Sequence, residues 1–180
     1  MKKAFDEYFK RLLIYSQKLF GTRPTVTYTD RLNQNVLVTS PDEDGEVEWI
    51  PKAQLSHVNW KDLEQELRFS VCEELREYYT LYSFLMLSGT FGNAYLNFYP
   101  IDAVEPVPQT VKRQYADGQT VFPNSQIFLI GNAIVNDDDS YFIFFDNENG
   151  KLFCYESDTS QQLLLSYSIA KTISAMEARL

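Results

Sequence analysis

Residues 136–156 read NDDDSYFIFFDNENGKLFCYE, three consecutive aspartates followed by aromatic and branched side chains. The segments YFIFF (141–145) and KLFCYE (151–156) have the composition of strands. They flank DNENG, in which Asn149-Gly150 is a strong hairpin signal. This stretch therefore predicts an antiparallel sheet at the centre of the fold. YFIFF is apolar on both of its faces, so one face packs on helices while the other needs cover from loops or from a partner.

Working outward, SQIFLIGNAIV (125–135) predicts a neighbouring strand, interrupted or bulged near Gly131. NAYLNFYP (93–100) alternates with the period of a half-buried strand, and GTFGNA before it reads as a tight turn. Further upstream, TVTYTDRLNQNVLVTS (25–40) is rich in Val and Thr and looks extended, with a first strand expected at 35–40. PDEDGE turns the chain, and VEWIP (47–51) returns as the second strand of a hairpin.

Helical spacing appears in three longer places. Phe5, Phe9, Leu12, Leu13, Leu19 and Phe20 mark an N-terminal amphipathic helix that ends at Gly21. Asn59 is an N-cap candidate with Asp62 three residues on. Leu63, Leu67, Val71, Leu75, Tyr78, Tyr82 and Leu85 keep helical spacing and predict one long helix to about Tyr79, beyond which the run is expected to turn extended. Leu165, Ile169, Ile173, Met176 and Leu180 predict a C-terminal helix, and a short one is expected over 109–115, after Pro106 and Pro108. The element order gives one α+β domain over residues 1–180, a largely antiparallel (mixed) sheet flanked by N-terminal, central and C-terminal helices.

The chain has 180 residues, 44% of them hydrophobic and 15% aromatic, enough apolar material for a single core. Its net charge of −9 argues against nucleic acid as a partner, because phosphate backbones are bound through clustered Lys and Arg. Residues 1–20 hold five basic and two acidic side chains, a balance of +3 that leaves −12 on the rest. A field of that sign attracts a basic protein segment. Cys72 and Cys154 form no CxxC and suggest no secreted framework. The basic opening segment lacks an apolar h-region, and no stretch approaches ~20 apolar residues. A cytoplasmic protein without a transmembrane segment is expected.

Recognisable chemistry is sparse. Counted from Asp137, an EF-hand's sixth position falls on Phe142 where Gly is required; counted from Asp42, Gly45 falls at position four. One histidine, His57, and two scattered cysteines supply no closed zinc set. No GxSxG, P-loop or GxGxxG is present. No metal, cofactor or catalytic residue is therefore assigned. Paired carboxylates stay open, since 25 acidic residues permit many geometries, and a carboxylate-dependent hydrolase stands as a third reading.

The acidic residues gather at two turns. Asp42, Glu43, Asp44, Glu46 and Glu48 surround the first hairpin, next to Trp49; Asp137, Asp138, Asp139, Asp146 and Glu148 surround the last. Either turn alone reads as a solvated loop. Together, beside aromatic strands, they are the candidate partner-binding residues: rings supply affinity and carboxylates supply steering.

The order of elements resembles the SecY-interacting protein Syd family and its relatives in the SUKH superfamily. The likeness covers nearly the whole chain. It runs from the N-terminal helix through VEWIP and a W-x-x-L-E-x-E-L helix to YYTLYSF, SGTFGNAYLNFYP and FPNSQIFLIG, then the acidic hairpin and a closing helix. The resemblance implies a non-enzymatic domain with an acidic groove, with which Asp42–Glu48 and Asp137–Asp139 are compatible. Members of the Syd family bind basic cytosolic loops of the SecY translocon subunit, while many superfamily members are immunity proteins that block polymorphic toxins, often nucleases. The expected function is accordingly an immunity protein that occludes a basic toxin. A Syd-type regulator docked on SecY at the inner membrane is the alternative.

Overall fold

Helix α1 (Lys2–Phe20) opens the computed structural model, which describes residues 1–54 and 57–180, Asp138 and Asp139 by their backbone alone. Phe5, Phe9 and Leu12 are buried as their spacing predicts, joined by Tyr8 and Ser16. Leu19 and Phe20 run past the core and are exposed. Gly21 ends the helix with φ at +74°, a conformation that favours glycine.

Strand β1 (Thr25–Thr27) pairs with β2 (Glu46–Glu48) in a two-stranded sheet. The first strand is thus not the expected 35–40. That segment forms a single bridge, Leu37 to Trp49, on the other side of β2. The ladder stops there because the Thr39 hydroxyl, rather than a backbone carbonyl, accepts from the Glu48 amide at 2.9 Å. Strand β3 (Lys52–Ala53) follows.

Where one long helix is expected, there are two: α2 (Trp60–Leu67) and α3 (Glu73–Thr80). Asn59 caps α2 as predicted, its side chain accepting from the Asp62 amide. Arg68 then turns left-handed at φ +67°, and distant side chains hold the interruption open. Glu64 Oε1 accepts from the Val71 amide at 2.6 Å and also engages Arg76. Asn147 Oδ1 accepts from the Cys72 amide at 2.7 Å, and its Nδ2 donates to the Ser70 carbonyl at 2.9 Å. Apolar spacing continues across the break because both helices face one core.

The remaining elements are β4 (Tyr82–Ser83), β5 (Leu87–Phe91), β6 (Ala94–Phe98), α4 (Val107–Val121), β7 (Ile127–Val135), β8 (Asp138–Asp146), β9 (Leu152–Glu156), β10 (Gln162–Ser166), α5 (Ile169–Ala175) and β11 (Glu177–Ala178). β3 pairs with β4. Seven strands form the main sheet in the order β10-β9-β8-β7-β6-β5-β11, and every pairing is antiparallel. The chain is a single-domain α+β fold. Two expectations are corrected here. The helix expected over 109–115 is longer, because Pro106 and Pro108 sit at its N-terminus, where a missing N–H costs nothing. The C-terminal helix is shorter: Leu165 belongs to β10, and Met176 follows the last helical turn.

One face of the sheet carries Leu87, Leu96, Phe98, Phe128, Ile143 and Phe145 into the core beneath the helices. There Phe5 and Phe9 of α1 pack against Phe84, with Tyr78 beside Phe5. The predicted bulge is present, as β7 and β8 shift register between Leu129 and Gly131. β6 reaches only the second half of β7, and α4 approaches the edge at Ile127 and Leu129. Gly118 makes that approach possible, since a Cβ there would collide with the Ile127 carbonyl.

Candidate functional site

The opposite face of the sheet is where a partner could dock. Register sets Tyr95 beside Ile134, Asn132 beside Phe142, and Phe142 beside Tyr155, all pointing away from the core. Phe144 and Phe153 lie on the same face, yet they are buried. Phe122, where α4 ends, lies against Phe144, Phe153 and Tyr155, with ring centroids 4.9–5.8 Å apart. The cover that YFIFF requires is therefore supplied by one ring over half of this face. The other half stays open, with Ile134 41% and Phe142 36% exposed.

At the end of this open half, Asn136 and Asp137 form the two-residue turn between β7 and β8, with φ of +50° and +67°. Two positive angles in a two-residue hairpin define a type I′ turn, which Asn and Asp tolerate. Asn93 Nδ2 braces it from the adjacent β5–β6 turn, donating to Asn136 Oδ1 at 2.8 Å. Asp137 is exposed beside the open patch. The side chains of Asp138 and Asp139 lie outside the described residues.

The other predicted acids are dispersed. Asp146 and Glu148 sit at the far end of β8, about 26 Å from its start at ~3.3 Å per residue. Asp146 organises its own turn, accepting from the Glu148 amide at 2.9 Å and from Asn149 Nδ2 at 2.7 Å. In the small sheet, Asp42 Oδ1 accepts from the amides of Asp44 and Glu46 at 3.0 and 2.9 Å. Glu46 accepts from the Thr27 hydroxyl and Glu48 pairs with Arg23. Glu43 and Asp44 are exposed. Trp49, expected at the interface, is 0% exposed and belongs to the core, its backbone bridged to Leu37.

An open cleft of about 790 Å³ lies elsewhere, between Asn33, Lys52, Gln54, Ser83 and Asp102. Asp102 Oδ2 accepts from Ser83 Oγ at 2.5 Å and from Asn33 Nδ2 at 3.1 Å. Glu105, the second acid at this cleft, is bound to Arg113 Nε at 2.8 Å. These two carboxylates are engaged by separate partners. Among the described residues, no three His, Cys, Asp or Glu side chains gather as a metal-binding group.

No family model and no curated protein matches the chain. Geometry therefore carries the functional reading. Ile134, Asn132 and Tyr95 lie outside the predicted site, although alternation in GNAIV and AYLNF places them opposite core residues. Nothing local signalled the Phe122 cover, which depends on where α4 ends.

The groups displaced from their ordinary pKa belong mainly to the core. Burial pushes the Cys154 thiol to about 12 and drives Tyr8, Tyr78 and Tyr79 far upward. At the surface, hydrogen bonds from Lys2 and Tyr82 hold Asp6 below the usual carboxylate range. No helix among the described residues is long and apolar enough to cross a membrane.

Proposed function

We propose that this domain is a non-enzymatic binding module of the cytoplasm that docks a basic protein on the open half of its sheet. In this reading it is an immunity protein, and its partner is a toxin with a cationic active-site cleft. The observation that carries it is the exposed pair Ile134 and Phe142, with Tyr95 and Tyr155 half-buried beside them, left uncovered where Phe122 stops. Rings of this kind serve as anchors in protein interfaces, where one well-packed aromatic contributes ~2 kcal/mol or more. The net charge of −9 supplies long-range attraction, which raises association rates by ~10–10³-fold in low salt. Syd and SUKH proteins, which the element order resembles, bind other proteins and fit the same reading.

The test is protection. The chain would be expressed in cells together with the toxin encoded beside its gene, and survival compared with that of cells carrying Phe142→Lys. Protection by the parent chain, lost with Phe142→Lys while the variant stays folded, is the expected result. Equal survival with both chains would remove the open patch from the interface. Failure to protect, with binding to basic SecY loops instead, would transfer the domain to a translocon role.

A further inference from the structure

We propose that β10 pairs edge to edge with β10 of a second copy, forming a twofold dimer through a continuous antiparallel sheet. β10 is the terminal strand, so among the described residues β9 is its one neighbour in the sheet. The Glu156 amide donates to the Gln161 carbonyl at 3.0 Å, which makes Gln161 and Glu156 a hydrogen-bonded pair. Alternation along an antiparallel ladder then turns the amides and carbonyls of Gln162 and Leu164 outward, away from β9. The partners of those two residues, Tyr155 and Phe153, direct their own groups toward β8.

The two ends of the sheet are treated differently. At the opposite edge, β11 is two residues long and carries Glu177, ion-paired with Arg179 at 2.9 Å. Short length and charge are the usual guards against unwanted pairing. β10 is five residues long and bears no charge of its own, although Lys151 Nζ donates to Gln162 Oε1 at 2.9 Å. Residues 159–170 contain no charged side chain in a chain of net charge −9, and Leu164 is 48% exposed. Two copies can meet here without bringing carboxylates of β10 together.

The strand is also self-complementary. An axis through Leu163 sets Gln162 opposite Leu164 of the second copy and Leu164 opposite its Gln162, joining the four outward groups of each strand in four hydrogen bonds. The register shift between Leu164 and Ser166 bends the strand beyond this point. It limits the seam to its first half and gives a closed isologous pair rather than an open ladder.

Sedimentation velocity and amide hydrogen exchange on the full chain test the idea. A concentration-dependent monomer–dimer equilibrium that persists in 0.5 M salt is expected, because salt screens the Lys151 cations that flank Gln162 and leaves the backbone hydrogen bonds of the seam in place. Exchange of the Gln162 and Leu164 amides should slow at least tenfold between dilute and concentrated samples, while exchange of the β11 amides stays constant. Leu164→Pro removes an outward N–H and should abolish the dimer. If that variant unfolds, the exchange measurement on the unmodified chain still decides. A chain that stays monomeric near 1 mM, with both amides exchanging freely, overturns the dimer and leaves the edge to an extended segment of another protein. Growth into open-ended assemblies overturns it too.

Discussion

Replacing Asn147 by Ala should cost more than any other single polar truncation at the α2–α3 break. Asn147 is 7% exposed and reaches from the loop after β8 to the break between the helices. Its side chain accepts from Cys72 N–H at 2.7 Å and donates to the Ser70 carbonyl at 2.9 Å and to Gln126 Oε1 at 2.7 Å. Truncation orphans the Cys72 amide and the Ser70 carbonyl, and each buried unpaired group costs about 1–3 kcal/mol. Both bonds are only part-buried, so water rescues some of this and the expected loss is about 2–3 kcal/mol. Against a total stability of roughly 5–15 kcal/mol, that is a large fraction. Urea titration followed by far-UV circular dichroism reads it as a lower midpoint at unchanged slope, a shift of about 1 M for a slope of ~2 kcal/mol per M. Asn147→Asp separates the contributions. It keeps the acceptor for Cys72 but aims a carboxylate at the Ser70 carbonyl, which favours the protonated form in the folded state. The folded pKa of that new carboxyl is then raised, so its penalty is absent at acid pH and appears as the pH rises toward neutrality. A loss below about 0.5 kcal/mol for Asn147→Ala would show that the left-handed turn at Arg68 breaks the helix unaided.

Gly118→Ala should destabilise by about 3 kcal/mol or more in the same titration, because its Cβ meets strand backbone that has nowhere to go; a loss under ~1 kcal/mol would mean that α4 does not press on β7. Asp137→Gly should leave stability unchanged or raise it by up to about 1 kcal/mol, since φ of +67° suits glycine. If charge at this turn steers the partner, the same change slows association at low salt, as read by stopped-flow mixing. Alkali should unfold the protein. The Cys154 thiol, ordinarily near 9, titrates at about 12 in the fold, so its contribution is intact below pH ~9 and is lost as the pH climbs toward 12. Buried Tyr8, Tyr78 and Tyr79 act in the same direction, and the Cys154→Ala variant should lose less stability across that window in pH-jump fluorescence.

Local patterns made the hairpins legible and long-range contacts obscured the rest. YFIFF, DNENG and KLFCYE gave β8, its loop and β9, because alternation and turn chemistry are encoded within a few residues. The bulge near Gly131 and the turn at Gly92 were readable for the same reason. The break between α2 and α3 was not, since Asn147 lies 75 residues from the amide it satisfies. β1 and β11 are three and two residues long, and such strands exist only through their partners. At the site, Trp49 misled: beside five carboxylates it looks like an interface ring, but it is bridged to Leu37 and lies in the core.

The aspartate triplet illustrates how a local cause can imitate a functional one. Asp137 occupies a position where the backbone requires a left-handed residue, and Asn136 occupies the other. Their identities follow from turn geometry before any partner is considered, which weakens the case that acid was placed here for binding. The same logic strengthens the case for the rings. Nothing in turn or strand chemistry requires Ile134 and Phe142 to face solvent, because a Thr at either position would hold the ladder equally well. Phe122 covers Phe144 and Phe153 on this face and reaches Tyr155, the cross-strand partner of Phe142, yet Phe142 itself stays 36% exposed. An apolar patch that local rules do not demand, next to a cover that ends early, is better explained by a partner than by folding. Exchanging Ile134 and Phe142 together for Thr should therefore leave the urea midpoint nearly unchanged while removing partner binding, and retained binding would refute that explanation.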